Sequence, residues 1–416
     1  MKKILFFAAL AAVMTAGMTS CSNDEPVGIN TAEVASNNIS FRITADKNVT
    51  TRGYETNATN ALSRIEDFQT WAYDDVTRQL YMGNSATVGR EVSNTGTALA
   101  PVWSYEPQQF WPVNALNFVA ITPYSDACYG TFTTSATANA EPATDSYVTL
   151  SVPITLDTDV EDQVDIMMAK ADGITAGTAV AASGSKNVPF TFEHALSQIL
   201  FKGKFNDEGA VTKVTIAEIS LCNVKSTGTL VYTSEGTWYG GNLQPTVSGT
   251  LANFTLEPGD LEDNVFDVAD VLTPAELYTA EDEAENPEHV AGTVKTPAVL
   301  RGTTAFDLTV SENATKKNAW MMIPQTTAAW AGPADINATP AEGAYLKVRA
   351  QIEKDGVVIL GSAAADALYI PLSINWDRSK RYIYTLEFNG ANALEPIGFN
   401  VVAENWTNGE NTDKNF

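Results

Sequence analysis

The sequence predicts an all-β protein built of two β-sandwich domains, and three observations carry that prediction. Apolar residues recur at every second position in many short stretches, amphipathic helical spacing is scarce, and the connecting segments are rich in Thr, Ser, Ala and Gly. From Cys21 onward the 416-residue chain is long enough to bury two separate cores. Composition changes little along it, so the division is drawn at the polar run "NDEGA". This gives residues 1–20 as a signal peptide, 21–36 as a linker, 37–207 as a first domain and 208–416 as a second.

Lys2 and Lys3 precede the apolar run "ILFFAALAAVMTAG", too short to span a bilayer and of the length of a signal-peptide core. It ends at "MTSC", which looks like a lipobox, so Cys21 is expected to receive acyl chains of the palmitate kind. An unmodified cysteine after a secretory signal is the alternative. Membrane contact would then run through the lipid anchor only. Next, Ile39, Phe41 and Ile43 alternate in a first strand, followed by a polar segment that sets Arg52 before Gly53. "VWSYEPQQFWP" brings Trp103, Tyr105, Phe110 and Trp111 ahead of the strand "LNFVAIT". Aromatics among prolines there suit packing at a sheet corner better than an exposed sugar platform.

"TFTTSATANAEPATDS" and "ADGITAGTAVAASGSKN" read as exposed loops. "ILFKGKF" groups Ile199, Phe201 and Phe205, and "VTKVTIAEISL" changes its apolar spacing between Ile216 and Ile219, which predicts a bulge. "ADVLTPAELY" has helical spacing but is broken by Pro274. "AFDLTV" and "AWMMIP" are further strands. "LKVRAQIEKDGVVIL" alternates up to a turn at Asp355-Gly356 and reads as a hairpin. "KRYIYTLEF" places Tyr382, Tyr384, Leu386 and Phe388 on one face, and "IGFNVVAENW" does the same with Phe399, Val401 and Ala403.

Chemistry is hard to find in this pattern. His194 and His289 are the only histidines, His194 read at the start of a strand, and neither has a ligand partner at metal-binding spacing. Nucleophile-elbow, zinc-protease, phosphate-loop and dinucleotide motifs are absent, so no cofactor is expected. Asp157, Asp159 and Glu161 alternate like a calcium loop, but Asp162 stands where that loop needs glycine. A carboxylate pair for glycoside hydrolysis is not singled out among the acidic residues. The net charge of -25 excludes nucleic acid and anionic lipid as partners, because phosphate binding needs clustered cations. Cys128 and Cys222 either form one disulfide or remain two buried thiols.

An ordered series of segments resembles the fimbrillin family, the Mfa-like or type V pilin lipoproteins of Bacteroidales. The series is "VWSYEPQQFWPVNALNFVAITPYS", "VDIMMAKA", "VPFTFEHALSQILFKGKF", "WMMIPQT", "WDRSKRYIYTLEF" and "PIGFNVVAENW", together with the lipobox and "TTRG". The acidic "SNDEP" after Cys21 resembles a surface-export signal of such lipoproteins. Glycine is commoner in the family at the positions held by Arg378-Ser379. The resemblance implies two β-sandwich domains of transthyretin-like type, no enzymatic activity, and a place in a fimbria on the cell outer membrane.

It also implies a maturation. A trypsin-like surface protease would cut after an arginine, releasing the lipid and the first strand. Arg52 fits by position; Arg42 lies within the strand and Arg64 further into the domain. A removed strand would leave unpaired backbone groups beside an apolar slot, open to a strand from another fimbrial subunit, identical or related. Phe399, Val401 and Ala403 make a natural donor, although the same segment serves equally as a fixed strand of its own sheet. The polar tail after Trp406 argues for an exposed end, with Phe416 as a small anchor. Two alternatives stay open: an uncut anchor or tip subunit, in which Arg52 is an ordinary surface residue, and a non-polymerising surface lipoprotein that binds glycan. A host protein or glycan ligand is compatible with each of them.

Overall fold

The computed structural model describes residues 37–45, 65–96, 101–138, 146–182, 185–205, 213–233, 251–256, 265–267, 272–273, 276–287, 289–291, 294–296, 299–300, 306–308, 319–331, 343–354, 356–360, 367–388 and 397–405. Their regular structure is almost wholly strand, as the period-two patterning predicts. No helix among them is long and apolar enough to cross a membrane.

The first half contains β1 (Ser40–Ala45), β2 (Asp67–Asp74), β3 (Leu80–Met82), β4 (Arg90–Asn94), β5 (Trp103–Ser104), β6 (Leu116–Thr122), β7 (Thr133–Ala138), β8 (Ser146–Thr155), β9 (Met167–Ile174), β10 (Val180–Ala182) and β11 (Ser185–His194). One sheet runs in the order β1, β11, β9, β6, β2, β4, β5, with β3 against β2 and β10 against β11. Within it β11 joins two groups of strands. Residues Asn187 to Phe192 pair in parallel with β1, whereas Glu193 and His194 pair antiparallel with Met168 and Met167 of β9.

β6 is buried at every residue and β2 at every residue after Asp67, because both faces of this sheet are covered. Phe68, Ala72, Phe118 and Ala120 point into a core shared with Ile39, Phe41, Val188 and Phe190. Trp71, Tyr73, Val119 and Ile121 point the other way, into a core shared with Val148, Leu150 and Val152 of β8. Burial on both faces also explains why β2 escapes a reading that looks for alternating polar residues. Its polar members are buried and bonded instead: Gln69 Oε1 accepts from the Gly89 N–H at 3.0 Å, and Thr70 Oγ1 donates to the Val119 carbonyl at 3.0 Å.

Beyond β11 come β12 (Ser197–Phe205), β13 (Lys213–Lys225), β14 (Thr227–Thr233) and β15 (Leu251–Leu256). β12 pairs in parallel with Lys380–Phe388, which pairs antiparallel with Ile397–Asn405. A second sheet sets β13 between β15 and Tyr345–Lys354. These two sheets share one core, with Ile199, Phe201, Tyr384 and Leu386 from the first and Ile216, Ile219, Leu346 and Val348 from the second. Trp320 ties them together, its ring 5.2 Å from Phe201 and 6.4 Å from Phe254. The bulge appears as a register shift between Ile216 and Glu218 against Tyr345–Lys354. The hairpin pairs Lys354 with Val357, and Gly356 takes a φ of +78°, a conformation glycine adopts without steric cost.

Sheet membership changes between His194 and Ser197, whereas the division drawn from the sequence at 207/208 falls after β12. β14, beyond that division, pairs with β8, before it. The change of sheet is held by the turn that precedes Lys380–Phe388. Arg378 Nη1 lies 3.0 Å from Glu193 Oε2, Ser379 Oγ donates to the His194 carbonyl at 2.6 Å, and Ser197 Oγ donates to the Asp377 carbonyl at 2.8 Å. Ser379 has a φ of +54°, in the left-handed region that favours glycine.

Several expectations are corrected. His194 closes β11 rather than opening a strand. The two Thr- and Ala-rich segments read as loops contain β7, the end of β9, β10 and the start of β11. Small residues on those strands leave little apolar alternation to read, while threonine itself favours extended backbone. The short helix α1 (Ala280–Glu285) begins in the acidic run before His289, not at "ADVLTPAELY". Its signal is a capping box, in which Thr279 accepts from the Asp282 N–H and Asp282 from the Thr279 N–H.

Candidate functional site

The first strand is the feature from which a function can be built. β1 is the edge strand of its sheet, and it lies beside a strand 147 residues later in sequence, pairing Phe41 with Val188 and Ile43 with Phe190. Ile39, Phe41 and Ile43 are buried while Arg42 between them is exposed, so the alternation read in the sequence is the alternation of the fold. Burying three such side chains contributes about 4.5–9 kcal/mol gross.

Phe41 sits in a socket of four rings. It stacks on Phe190, with centroids 5.6 Å apart, and meets Phe68 at 5.5 Å, Tyr105 at 5.6 Å and Phe118 at 6.3 Å edge-on or nearly so. The rings come from β2, β6, β11 and the segment after β5, so the socket exists only when these elements are assembled.

A second set of contacts holds the upstream end of the strand on the edge that β11 leaves open. The Ile39 N–H donates to the Gln109 carbonyl at 2.8 Å, and the Trp111 N–H donates to the Asn37 carbonyl at 2.9 Å. Tyr105 Oη donates to the Ile39 carbonyl at 2.7 Å and accepts from the Gln109 N–H at 3.2 Å. Burial pushes the Tyr105 phenol up to about 12, so it stays a donor across the physiological range. The holding segment is itself fixed to the sheet below: Arg90 Nη1 donates to the Glu106 carbonyl at 2.9 Å, and Tyr81 Oη to the Phe110 carbonyl at 2.5 Å.

The four aromatics of "VWSYEPQQFWP" therefore divide. Tyr105 and Trp111 are buried, Trp103 is half-buried against Phe68, and Phe110 alone is well exposed, so the four do not form a flat open platform. Sequence reasoning named Tyr105 and Trp111 as packing residues but did not find that the segment bonds to the first strand. Nothing local signals a contact made across more than sixty residues.

Other sites read in the sequence are placed as follows. Cys21, Arg52, Arg64, Trp406 and Phe416 lie outside the described residues. Ile397–Asn405 runs along the whole of Lys380–Phe388 at the edge of its sheet, setting Phe399 opposite Leu386, Val401 opposite Tyr384 and Ala403 opposite Tyr382. The side chains of Phe399 and Val401 lie outside the described set, and Ala403 is exposed. His194 is buried with Nδ1 2.8 Å from Asp165 Oδ2, and burial raises the Asp165 carboxyl although His194 opposes the shift. His289 stacks on Tyr278 at 4.2 Å. Asp157, Asp159 and Asp162 are exposed, and the side chain of Glu161 lies outside the described set. Among the described residues no group of His, Cys, Asp and Glu is placed to hold a metal ion. Cys128 and Cys222 are both free thiols, which decides the pairing the sequence left open.

Comparison with known proteins agrees with this architecture. A family model described as fimbrillin-like matches residues 51–406. A search among curated proteins gave no match. Among solved structures, a fimbrial protein from Bacteroides vulgatus superposes with a TM-score of 0.50 at 18% identity, covering 89% of this chain and 99% of its own. A cell adhesion protein from Bacteroides uniformis gives 0.40 at 15%, covering 89% and 98%. The tip fimbrial protein Mfa3 from Porphyromonas gingivalis, with a C-terminal truncation, gives 0.29 at 10%, covering 84% and 96%. The first of these is similar in fold. With the family model covering most of its length, this chain belongs to the fimbrillin-like family.

Proposed function

We propose that this chain is a fimbrial subunit of the bacterial outer surface, assembled by strand exchange and serving adhesion, without enzymatic activity. It is exported as a lipoprotein through Cys21, anchored at the outer membrane, and matured by a trypsin-like surface protease that cuts after Arg52. Its two transthyretin-like sandwich domains, divided where sheet membership changes between His194 and Ser197, stay together while β1 leaves. Other fimbrial subunits, identical or related, are its partners, and a host protein or glycan is the target of adhesion. Phe399, Val401 and Ala403 belong to the donor strand.

The observation that carries this reading is the position of β1. An edge strand can leave without breaking the sheet behind it, and this one takes three buried side chains out of an aromatic slot. What remains is a row of backbone groups on β11 beside apolar walls, a surface that extended peptides fill by adding a strand. The pairing of Ile397–Asn405 along its own sheet supports a second reading, in which that strand stays in place and the subunit is an uncut anchor or tip.

Low-dose trypsin on the lipid-free precursor tests the proposal. The expected result is a single cut at Arg52, absent in Arg52→Ala, followed by ladders that survive warm detergent. A cut product that remains a monomer would sink it.

A further inference from the structure

The edge of β1 that faces away from β11 is not left to solvent at its upstream end. We infer that Tyr105, Gln109 and Trp111 form a main-chain clamp that sets the register of any segment filling the slot, so that its occupant places a phenylalanine two residues beyond the clamped position. This rests on the strand-exchange reading above and adds to it the identity of the groups that read the incoming strand.

The clamp recognises backbone. It offers the Gln109 carbonyl to an N–H, the Trp111 N–H to a carbonyl two residues earlier, and the Tyr105 hydroxyl to the carbonyl of the clamped residue. All three act on Asn37 and Ile39, whatever their side chains. Once β1 departs, these groups stand beside buried Tyr105 and Trp111, where an unmet hydrogen bond is costly. They therefore favour one alignment of a new strand over alignments shifted along the slot. Two residues on, the socket of Phe68, Phe118 and Phe190 is shaped for a flat ring. Ile39 and Ile43 flank that ring with branched side chains that are fully or nearly fully buried.

The ligand class is then an extended peptide in which Phe has Ile or Val two residues away on each side. Of the 17 phenylalanines in the chain, only two meet that condition: Phe41 itself, and Phe399 in Ile397-Gly-Phe-Asn-Val401. A second copy of this chain fits the slot with Ile397 at the clamp, Phe399 in the socket and Val401 in the place of Ile43. Pro396 then falls at the position of Asn38, whose N–H neither clamp bond uses. In this register the matching triplet is Ile397, Phe399 and Val401, not Phe399, Val401 and Ala403.

Two measurements test the inference, the first of them separately from the pilus reading. Amide exchange of the uncut lipid-free chain and of its Tyr105→Phe variant needs neither cleavage nor assembly. The Ile39 and Trp111 amides are expected to exchange about tenfold faster in the variant, as loss of one hydrogen bond predicts, with β6 and β12 unchanged. Equal exchange overturns the clamp. The trypsin-cut chain is then mixed with a synthetic peptide of residues 395–405, and release of the first strand is followed by native mass spectrometry. The natural peptide should displace it at least about tenfold faster than a peptide carrying Phe399→Val with Val401→Phe, since a core ring shifted by one pair loses its packing. Equal displacement by both overturns the register, and displacement by neither overturns a second copy as the occupant.

Discussion

Phe41 lies flat against Phe190, with ring centroids 5.6 Å apart and planes within 7° of parallel, and through this contact the first strand is part of the core of a sheet built mostly from residues far along the chain. Truncating a fully packed Phe leaves a cavity, so Phe41→Ala is expected to lower the stability of the uncut chain by about 3–5 kcal/mol. Urea unfolding followed by tryptophan fluorescence measures it. Phe41→Leu, which keeps much of the volume, should lose less than half as much. An unshifted midpoint for Phe41→Ala would mean that β1 does not unfold with the rest.

Tyr105 predicts a response to alkali. Burial raises its phenol from the ordinary 10.0 to about 12, against smaller opposing contributions from the Gln109 backbone and Arg90. Between those values the folded chain keeps a proton that the unfolded chain has lost, so stability is intact below pH 10 and declines as pH rises through about 12. Burial raises several other phenols, Tyr129, Tyr232, Tyr345 and Tyr384 among them, so the late part of the tyrosinate absorbance should lose only the component near 12 in Tyr105→Phe, and protection of β1 should fall in the same interval.

Glu218 predicts the opposite response in acid. Burial works against its ionisation, but hydrogen bonds from Lys347 Nζ at 2.7 Å and from Ser220, with Arg349 Nη1 at 3.4 Å, outweigh it and hold the carboxyl below its usual 4.5. Its contribution is present above pH 4.5 and is lost as pH falls through the folded value. The pair is partly exposed, so Lys347→Met should cost no more than about 1 kcal/mol at neutral pH and should flatten the acid limb. Carboxyl chemical shifts in an NMR titration would show Glu218 moving upward in that variant.

The two free thiols are expected to be unreactive in the folded chain. Burial raises Cys222 to about 11 and Cys128 well above its ordinary value, so neither is a thiolate at neutral pH. A thiol-reactive dye added without reductant should label neither residue quickly under native conditions and both after unfolding. If unfolded chain reacts at both positions only after reduction, a disulfide joins them and the two residues are not free thiols.

How much of this was legible in the sequence depended on whether a strand shows one face to water. β1, Tyr345–Lys354 and Lys380–Phe388 alternate plainly because only one side of each is buried. β2 does not, because both its faces meet cores, and its buried Gln69 and Thr70 look like surface residues until their bonds across the sheet are seen. β7 and β10 are hidden by composition, since Thr and Ala carry too little apolar contrast. The candidate site was half legible: Ile39, Phe41 and Ile43 were read as a strand, while its neighbour β11 and its clamp could not be inferred from local pattern.

Periodicity and composition were enough, by themselves, to establish an all-β chain, because side-chain alternation is a property of each strand alone, and the ordered series of motifs carried the resemblance to the fimbrillin family. Which strands are neighbours was decided only by the tertiary structure. The parallel pairing of β1 with β11, the meeting of Phe41 with Phe190, and the bonds from Tyr105, Gln109 and Trp111 join positions tens to well over a hundred residues apart. Such contacts form because folded surfaces fit and buried backbone groups must be paired, and neither condition leaves a mark on a short stretch of sequence.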